Sequence, residues 1–262
     1  MSVKKIIYPT SQHQQVSEAI VEFFSEFEKV NAILLVCSCA RNKASKDSCV
    51  DITILLGPES FSRNKKTLEN RWKKHYESSK IFKDLLSVGK YTHVDLEFTN
   101  GQFSEGYHGW TSGPDNFELE IGNILQYSFP LYKNGNYLNE LKKIWLPYYG
   151  ESKRLKRLNM VLKYCHNNLD HIPSFVDRGL YFQAFNRFYD AYREFIQALF
   201  ISKKIYPIAY DKWIKEQLVD ILKDRMLYKK VVDLFAIGNI ETDTLKKKRL
   251  SLKKLISDCI ID

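Results

Sequence analysis

No apolar run in this 262-residue chain approaches the ~20 residues that a helix needs to cross a bilayer, so a membrane-spanning helix is not expected. Cysteine is scarce and odd in number. The five residues Cys37, Cys39, Cys49, Cys165 and Cys259 show no disulfide-like frame. The first nine residues carry two lysines but no apolar stretch of the kind a signal peptide uses. A reduced, cytoplasmic setting is therefore the expectation. Internal repeats and low-complexity segments are absent too, which sets aside solenoids and disordered tracts.

What is present suits a packed protein of two modest domains or one large one. Hydrophobic residues make up 44% and charged residues 27%, enough to build a core beneath a soluble surface. The formal charge of +9 favours anionic partners, nucleotides or nucleic acid among them. Part of that charge is local, in Lys246, Lys247, Lys248, Arg249, Lys253 and Lys254 and again between Arg63 and Lys80. Such runs are usually solvated helix faces, so nucleic-acid binding is the weaker expectation.

Two halves read differently. Up to residue 136, short β-rich runs alternate with helical and loop segments; from 137 to 262 helical periodicity dominates. Ala19, Ile20, Phe23, Phe24 and Phe27 predict an amphipathic helix over Ser17–Val30. Strands are expected at Ala32–Val36, at Asp51–Leu56 before Gly57-Pro58, and at Tyr91–Phe98 before Asn100-Gly101. A helix is expected from Arg63 to Leu86, with Trp72 as its apolar anchor. The stretch Gln102–Asp115, with Gly106, Gly109, Gly113 and Pro114, reads as a long loop of the lid or ligand-binding type. An apolar, helix-like segment follows over Ile121–Phe129. In the second half, stripes running through Leu155–Leu169, Phe185–Phe200 and Ile214–Met226 predict helices packed on one another. The fold class is α+β: a mixed sheet with helices, then a helical bundle.

The chemistry gathers around one turn. Ser38 lies just past the first strand, and a hydroxyl beside free backbone N–H groups can cradle phosphate oxygens. Arg41 could grip triphosphate oxygens with its forked donors or pair with a nearby acid. Asp51 opens the second strand, with Cys49 and Thr53 on its side of the sheet. On the third strand His93, Asp95 and Glu97 share a face. If the two strands are neighbours, Asp51 and this pair could converge on a divalent cation. Glu118 or Glu120 could act as a general base, although first-turn glutamates more often serve the helix dipole. Arg178 and Lys212 suit phosphate contact or plain surface placement equally.

The run Cys37-Ser38-Cys39-Ala40-Arg41-Asn42-Lys43-Ala44 with Ser48-Cys49-Val50-Asp51-Ile52 resembles the signature of the nucleotidyltransferase superfamily, the polymerase-β-like enzymes. That signature is a Gly-Ser turn, Ala-Arg-Gly, then Ser-Asp-x-Asp-hydrophobic. The resemblance implies that Ser38, with Arg41 and Lys43, contacts the nucleotide's phosphates. It implies that Asp51 holds Mg²⁺ or Mn²⁺, with a further carboxylate from Asp95 or Glu97. Three positions depart from the pattern. Cys37 and Asn42 replace glycines, and Cys49 replaces the first metal-binding aspartate. A thiol is a poor ligand for a hard ion, so a single metal fits the resemblance better than two. Arg178-Gly179, Tyr181-Phe182-Gln183, Tyr206-Pro207 and Lys212-Trp213 resemble the helical part of bacterial antibiotic-modifying adenylyltransferases. The implied activity is metal-dependent transfer of a nucleoside monophosphate from an NTP, ATP first, to a hydroxyl of a small-molecule acceptor. The alternatives are a degenerate protein that binds a nucleotide or partner without turnover, and nucleotidylation of RNA or protein.

Overall fold

The computed structural model describes residues 5–260. The chain separates into two compact units, residues 1–103 with 120–146, and residues 104–119 with 147–262. The fold is α+β, with a four-stranded mixed sheet in the first unit and mainly helices in the second.

In the first unit, α1 (Ser11–Ser25) begins where the Thr10 hydroxyl accepts the His13 N–H, and it buries Val16, Ile20 and Phe24. The apolar stripe read from sequence is thus correct, but the helix starts earlier and stops sooner. Val30, expected at its end, instead opens β1 (Val30–Leu35) by pairing with Leu56 of β2 (Val50–Leu56). Short α2 (Cys37–Ala40) lies between these strands. The helix expected over 63–86 is two helices, α3 (Pro58–Ser78) and α4 (Lys80–Leu86), separated by extended backbone at Ser79. Trp72 does anchor α3, with its ring 5.5 Å from Phe24 and 5.2 Å from Phe82.

The sheet order is β3-β2-β1-β4, with β3 (Val94–Thr99) parallel to β2 and the other pairs antiparallel. Strand β4 (Phe129–Lys133), which contains Pro130, was not expected, since Ile121–Phe129 reads as helix-like. An edge strand tolerates the missing proline N–H. The helical character ahead of it is real but short, a π-helical turn at Leu119–Asn123 followed by α5 (Ile124–Tyr127). Alternation along β2 sends Val50, Ile52, Ile54 and Leu56 into one core with α1, α3 and α4. Leu55 packs on the opposite face with Ala32, Leu34, Leu125, Leu138 and Leu141. Asp51 and Thr53 belong to this second face.

Helix α6 (Tyr137–Trp145) supplies Leu138 and Leu141 to that core, so residues 137–146 belong with the sheet rather than with the bundle. Gly101 is the other requirement of this layer. It has φ +72°, and a Cβ there would collide with the Leu141 side chain.

The second unit is built on α7 (Glu151–Asp177) and α8 (Tyr181–Lys203), joined by α9 (Arg225–Leu234), α10 (Thr244–Cys259) and a π-helical segment at Glu216–Ile221. The aromatic stripe of α8 is core, as its periodicity required: Phe188, Phe195 and Phe200 are fully buried. Gly179, at φ +70°, ends α7. Its N–H donates to the Val176 carbonyl and the next N–H, of Leu180, reaches back to Phe175. Pro173 stands inside α7 and cannot donate to the carbonyl of Leu169, four residues earlier. Arg249 of α10 fills the vacancy, donating Nε to that carbonyl at 2.8 Å and Nη2 to Asp170 at 2.9 Å.

Candidate functional site

After Val36 the chain leaves β1 and turns sharply, with Cys37 at φ 54° and Asn42 at φ 58°. Both residues adopt the left-handed conformation in which glycine is easiest, although neither is glycine. Asn42 turns its side chain to use. Its Oδ1 accepts the Ile7 N–H at 2.9 Å and its Nδ2 donates to the Lys5 carbonyl at 3.1 Å. The Ser38 carbonyl accepts from the N–H groups of Arg41 and Lys43, which closes the turn. Arg41 folds back over it, with Nη1 donating to the Cys37 carbonyl at 2.9 Å. Ser38 is buried, whereas Lys43 is exposed.

Two backbone bonds fix this turn to the strands. The Val36 N–H donates to the Asp51 carbonyl at 3.0 Å, and the Val50 N–H donates to the His93 carbonyl at 2.9 Å. The parallel register of β2 and β3 sets Asp51 beside Asp95, and Thr53 beside Glu97. All four side chains therefore rise from one face of the sheet. Asp51 is only 9% exposed, while Asp95, Glu97 and His93 are exposed.

The carboxylate of Asp51 is incompletely satisfied. Its Oδ1 accepts the Cys49 thiol at 3.2 Å, and its Oδ2 is buried with no hydrogen-bond partner. Burial raises the Asp51 pKa, and the charges of Asp95 and Glu97 add to the effect, against the opposing influence of Cys49 and His93. Burial and the Asp51 charge push the Cys49 thiol up to about 12. The same two causes hold Cys37 at about 11 and Cys39 at about 12. An oxygen acceptor buried without a donor is costly, on the order of 1–3 kcal/mol, and is the kind of defect that a bound ligand repairs.

Among the described residues, no three His, Cys, Asp or Glu side chains stand close enough to hold a metal ion by themselves. Asp51 and neighbouring Asp95 would offer two carboxylates to a divalent cation, which would have to take its remaining ligands from phosphate and water, as Mg²⁺ does. Cys49 supplies sulfur where a second cation would need oxygen.

Several other sequence candidates have structural duties instead. Glu118, considered as a base, is fully buried in the second unit and accepts five hydrogen bonds. They come from Tyr149 OH at 2.7 Å, Arg157 Nε at 2.6 Å and Nη2 at 3.0 Å, Gln197 Nε2 at 2.7 Å and Tyr210 OH at 3.2 Å. Arg157 also bridges to Asp115 at 2.6 Å, which leaves Glu118 no capacity to accept a substrate proton. Glu120 is exposed in the π-helical turn. Arg178 caps the end of α7, and Lys212 is exposed.

The expected loop at 102–115 is present, and its later part is held firmly within the second unit. The Trp110 ring packs at a tilt against Tyr164 of α7, with ring centres 4.7 Å apart. Gly113, at φ +72°, sits where a Cβ would come within 2.9 Å of Asp190 Oδ1.

About half of the basic residues in the two runs pair with acids of the chain. On α10, Lys246 pairs with Asp177 and Asp243, while Arg249 and Lys253 both reach Asp170. On α3 the partners are Glu59 for Arg63, Glu69 for Lys65 and Glu77 for Lys73.

No protein-family profile matches the chain, and no curated protein matches it. Among solved structures the chain is similar to a nucleotidyltransferase-like protein from Exiguobacterium sibiricum 255-15. The identity is 13% and the TM-score 0.47, over 94% of this chain and 74% of that one. No helix among the described residues is long and apolar enough to cross a membrane. At that degree of similarity, a functional reading has to stand on the residues of the corner formed by Cys37–Asn42, Asp51 and Asp95.

Proposed function

We propose that the first unit binds a nucleoside triphosphate, ATP first, and transfers its nucleoside monophosphate to a hydroxyl of a small-molecule acceptor. The observation that carries this reading is the juxtaposition of Asp51 and Asp95, with the buried, unpartnered Asp51 Oδ2 between strand and turn. One divalent cation held by these two carboxylates, Mg²⁺ or Mn²⁺, would neutralise the triphosphate and polarise the α-phosphorus. Ser38 and the amides at the start of the turn would face the phosphates, since those of Ala40, Arg41 and Asn42 are bonded to carbonyls of the chain itself. Lys43 adds charge at the rim. Arg41 shapes the turn through its bond to the Cys37 carbonyl, which keeps its guanidinium beside the turn that would hold the phosphates. Glu97, exposed like Asp95 on the Asp51 face, takes the acceptor proton. The acceptor oxygen then bonds the α-phosphorus as the bond to pyrophosphate breaks. A small acceptor follows from the resemblance of the second half to antibiotic-modifying enzymes. The pairing of the basic runs within the chain gives no support to an RNA acceptor.

The test is pyrophosphate release from labelled triphosphates with Mg²⁺ or Mn²⁺ and a panel of hydroxyl acceptors. Release that disappears in Asp51→Asn supports the reading. One observation favours a second reading, a nucleotide-binding protein without turnover: the thiol of Cys49 occupies the Asp51 carboxylate. Tight nucleotide binding with no pyrophosphate from any acceptor would establish that reading instead.

A further inference from the structure

Residues 105–117 are pinned along α7 in three places. Glu105 lies near the first turn of the helix, where its charge bears on Lys153. Further on, His108 meets the Tyr164 ring edge-on at 4.5 Å, and the Trp110 carbonyl accepts from Asn167 Nδ2 at 3.4 Å. The segment then returns to the start of α7. There the buried Phe117 ring packs edge-on against Tyr149 at 5.4 Å and lies 4.1 Å from the Arg157 guanidinium. Between segment and helix is a cavity of about 730 Å³, lined wholly by residues of the second unit. That volume falls within the range of ~300–1,000 Å³ usual for small-molecule sites. Its walls sort by charge. Arg157 is engaged by Glu118 and Asp115, and Glu151 by Arg154 at 2.7 Å and Lys204 at 2.9 Å. The charged walls that remain are Lys153, Lys156 and Glu105. Lys153 Nζ stands 4.3 Å from the Phe117 ring centre, and burial and then Arg157 lower its pKa against the pull of Glu105 and Glu118. Lys156 is exposed and pairs with no acid among the described residues. Two ammonium groups thus share the cavity with one exposed carboxylate, beside an apolar wall of Phe117 and Met160.

We propose that this cavity binds a small organic phosphate monoester, with its phosphate on Lys153 and Lys156 and its apolar body against Phe117 and Met160. Lysine holds phosphate as a point charge, and two such charges suit a dianion better than a monoanion. Glu105 is the internal counterpart of that phosphate. It offsets Lys153 until a ligand does so, and it moves aside on binding. Room for this exists, since Glu105 is exposed and the Gly106 beside it has no atom within 4 Å of where a Cβ would stand. Competition between Glu105 and the ligand also sets the specificity, because a neutral molecule gains nothing from displacing the carboxylate. The inference rests on the second unit alone and is independent of the transfer reaction proposed for the first.

The experiment is calorimetric titration of the full chain with 1-naphthyl phosphate, alongside 1-naphthol and inorganic phosphate. The ester should bind with a Kd below about 1 mM, and about tenfold more tightly than either fragment. Lys153→Gln and Lys156→Gln should each weaken it about threefold, and the double variant about tenfold. Glu105→Gln should tighten it about twofold, because the competing carboxylate is gone. All three side chains are exposed, so these variants keep the fold, which circular dichroism verifies. The proposal is overturned if the ester does not bind below about 1 mM, or if 1-naphthol or inorganic phosphate binds as tightly. It is overturned equally if the double lysine variant binds like the wild type, which would put the ester elsewhere on the chain, or if Glu105→Gln fails to tighten binding. None of these substitutions touches the first unit, so pyrophosphate release and ester binding stand or fall separately.

Discussion

Two buried carboxylates, one in each unit, have opposite surroundings. Glu118 lies wholly inside the second unit with five donors on its two oxygens, from residues as far apart in sequence as Tyr149 and Tyr210. Asp51 lies at the margin of the first unit with one weak thiol donor and one oxygen left without any. Burial alone therefore does not identify a working carboxylate. A saturated one is committed to holding chain segments together, whereas an unsaturated one keeps an oxygen open to a further donor or cation. Glu194 stands between these extremes, buried in α8 with both oxygens served by the single amide of Asn168.

The contrast can be broken most forcefully at Arg157. Arg157→Met leaves Glu118 and Asp115 buried without their cation, and a loss on the order of 3–5 kcal/mol in urea unfolding is expected. Asp51→Asn should leave the unfolding midpoint nearly unchanged while removing pyrophosphate release, and comparable destabilisation by the two variants would erase the distinction. For Glu194 the expected effect is one of pH. Burial, chiefly, lifts its pKa from 4.5 to about 8, so across that window the folded chain keeps a proton that the unfolded chain has released. Stability should therefore fall as pH rises from 4.5 to about 8, by an amount on the order of a few kcal/mol, and Glu194→Gln should flatten the profile. Arg249→Ala exposes the consequence of Pro173, leaving the Leu169 carbonyl without a donor, at about 1–3 kcal/mol in the same unfolding assay. The smallest effect is at the turn. Cys37→Gly should raise stability by about 1 kcal/mol, because it relieves a left-handed non-glycine residue, and a loss would mean that the thiol makes a contact worth more than the strain.

Much of the first unit was legible because its signals are local. Strand runs bounded by Gly57-Pro58 and Asn100-Gly101, and alternation along β2 and β3, sufficed to place Asp51, Thr53, Asp95 and Glu97 on shared faces. The parallel neighbouring of β2 and β3 could only be supposed, because strand pairing depends on contacts between distant segments. Strand β4 was masked by the helix-like run Ile121–Phe129, whose last residue opens it. The Glu118 network was illegible for a different reason. Its members are separated by up to 92 residues, and no spacing rule links a tyrosine at 210 to a glutamate at 118. The thiol contact to Asp51 was within reach of the alternation argument, which put Cys49 on the correct side. The unpartnered oxygen was not, since absence of a donor is a property of three-dimensional packing.

The bond between Arg249 and the Leu169 carbonyl also bears on the order of assembly during synthesis. Helix α7 cannot close its own ladder at Pro173, and the group that closes it is made 80 residues after Leu169. While the chain grows, the middle of the bundle's longest helix keeps an open acceptor, and the sheet unit, whose residues all precede 147, has everything it needs to form first. The second unit thus finishes late, on the arrival of a single guanidinium.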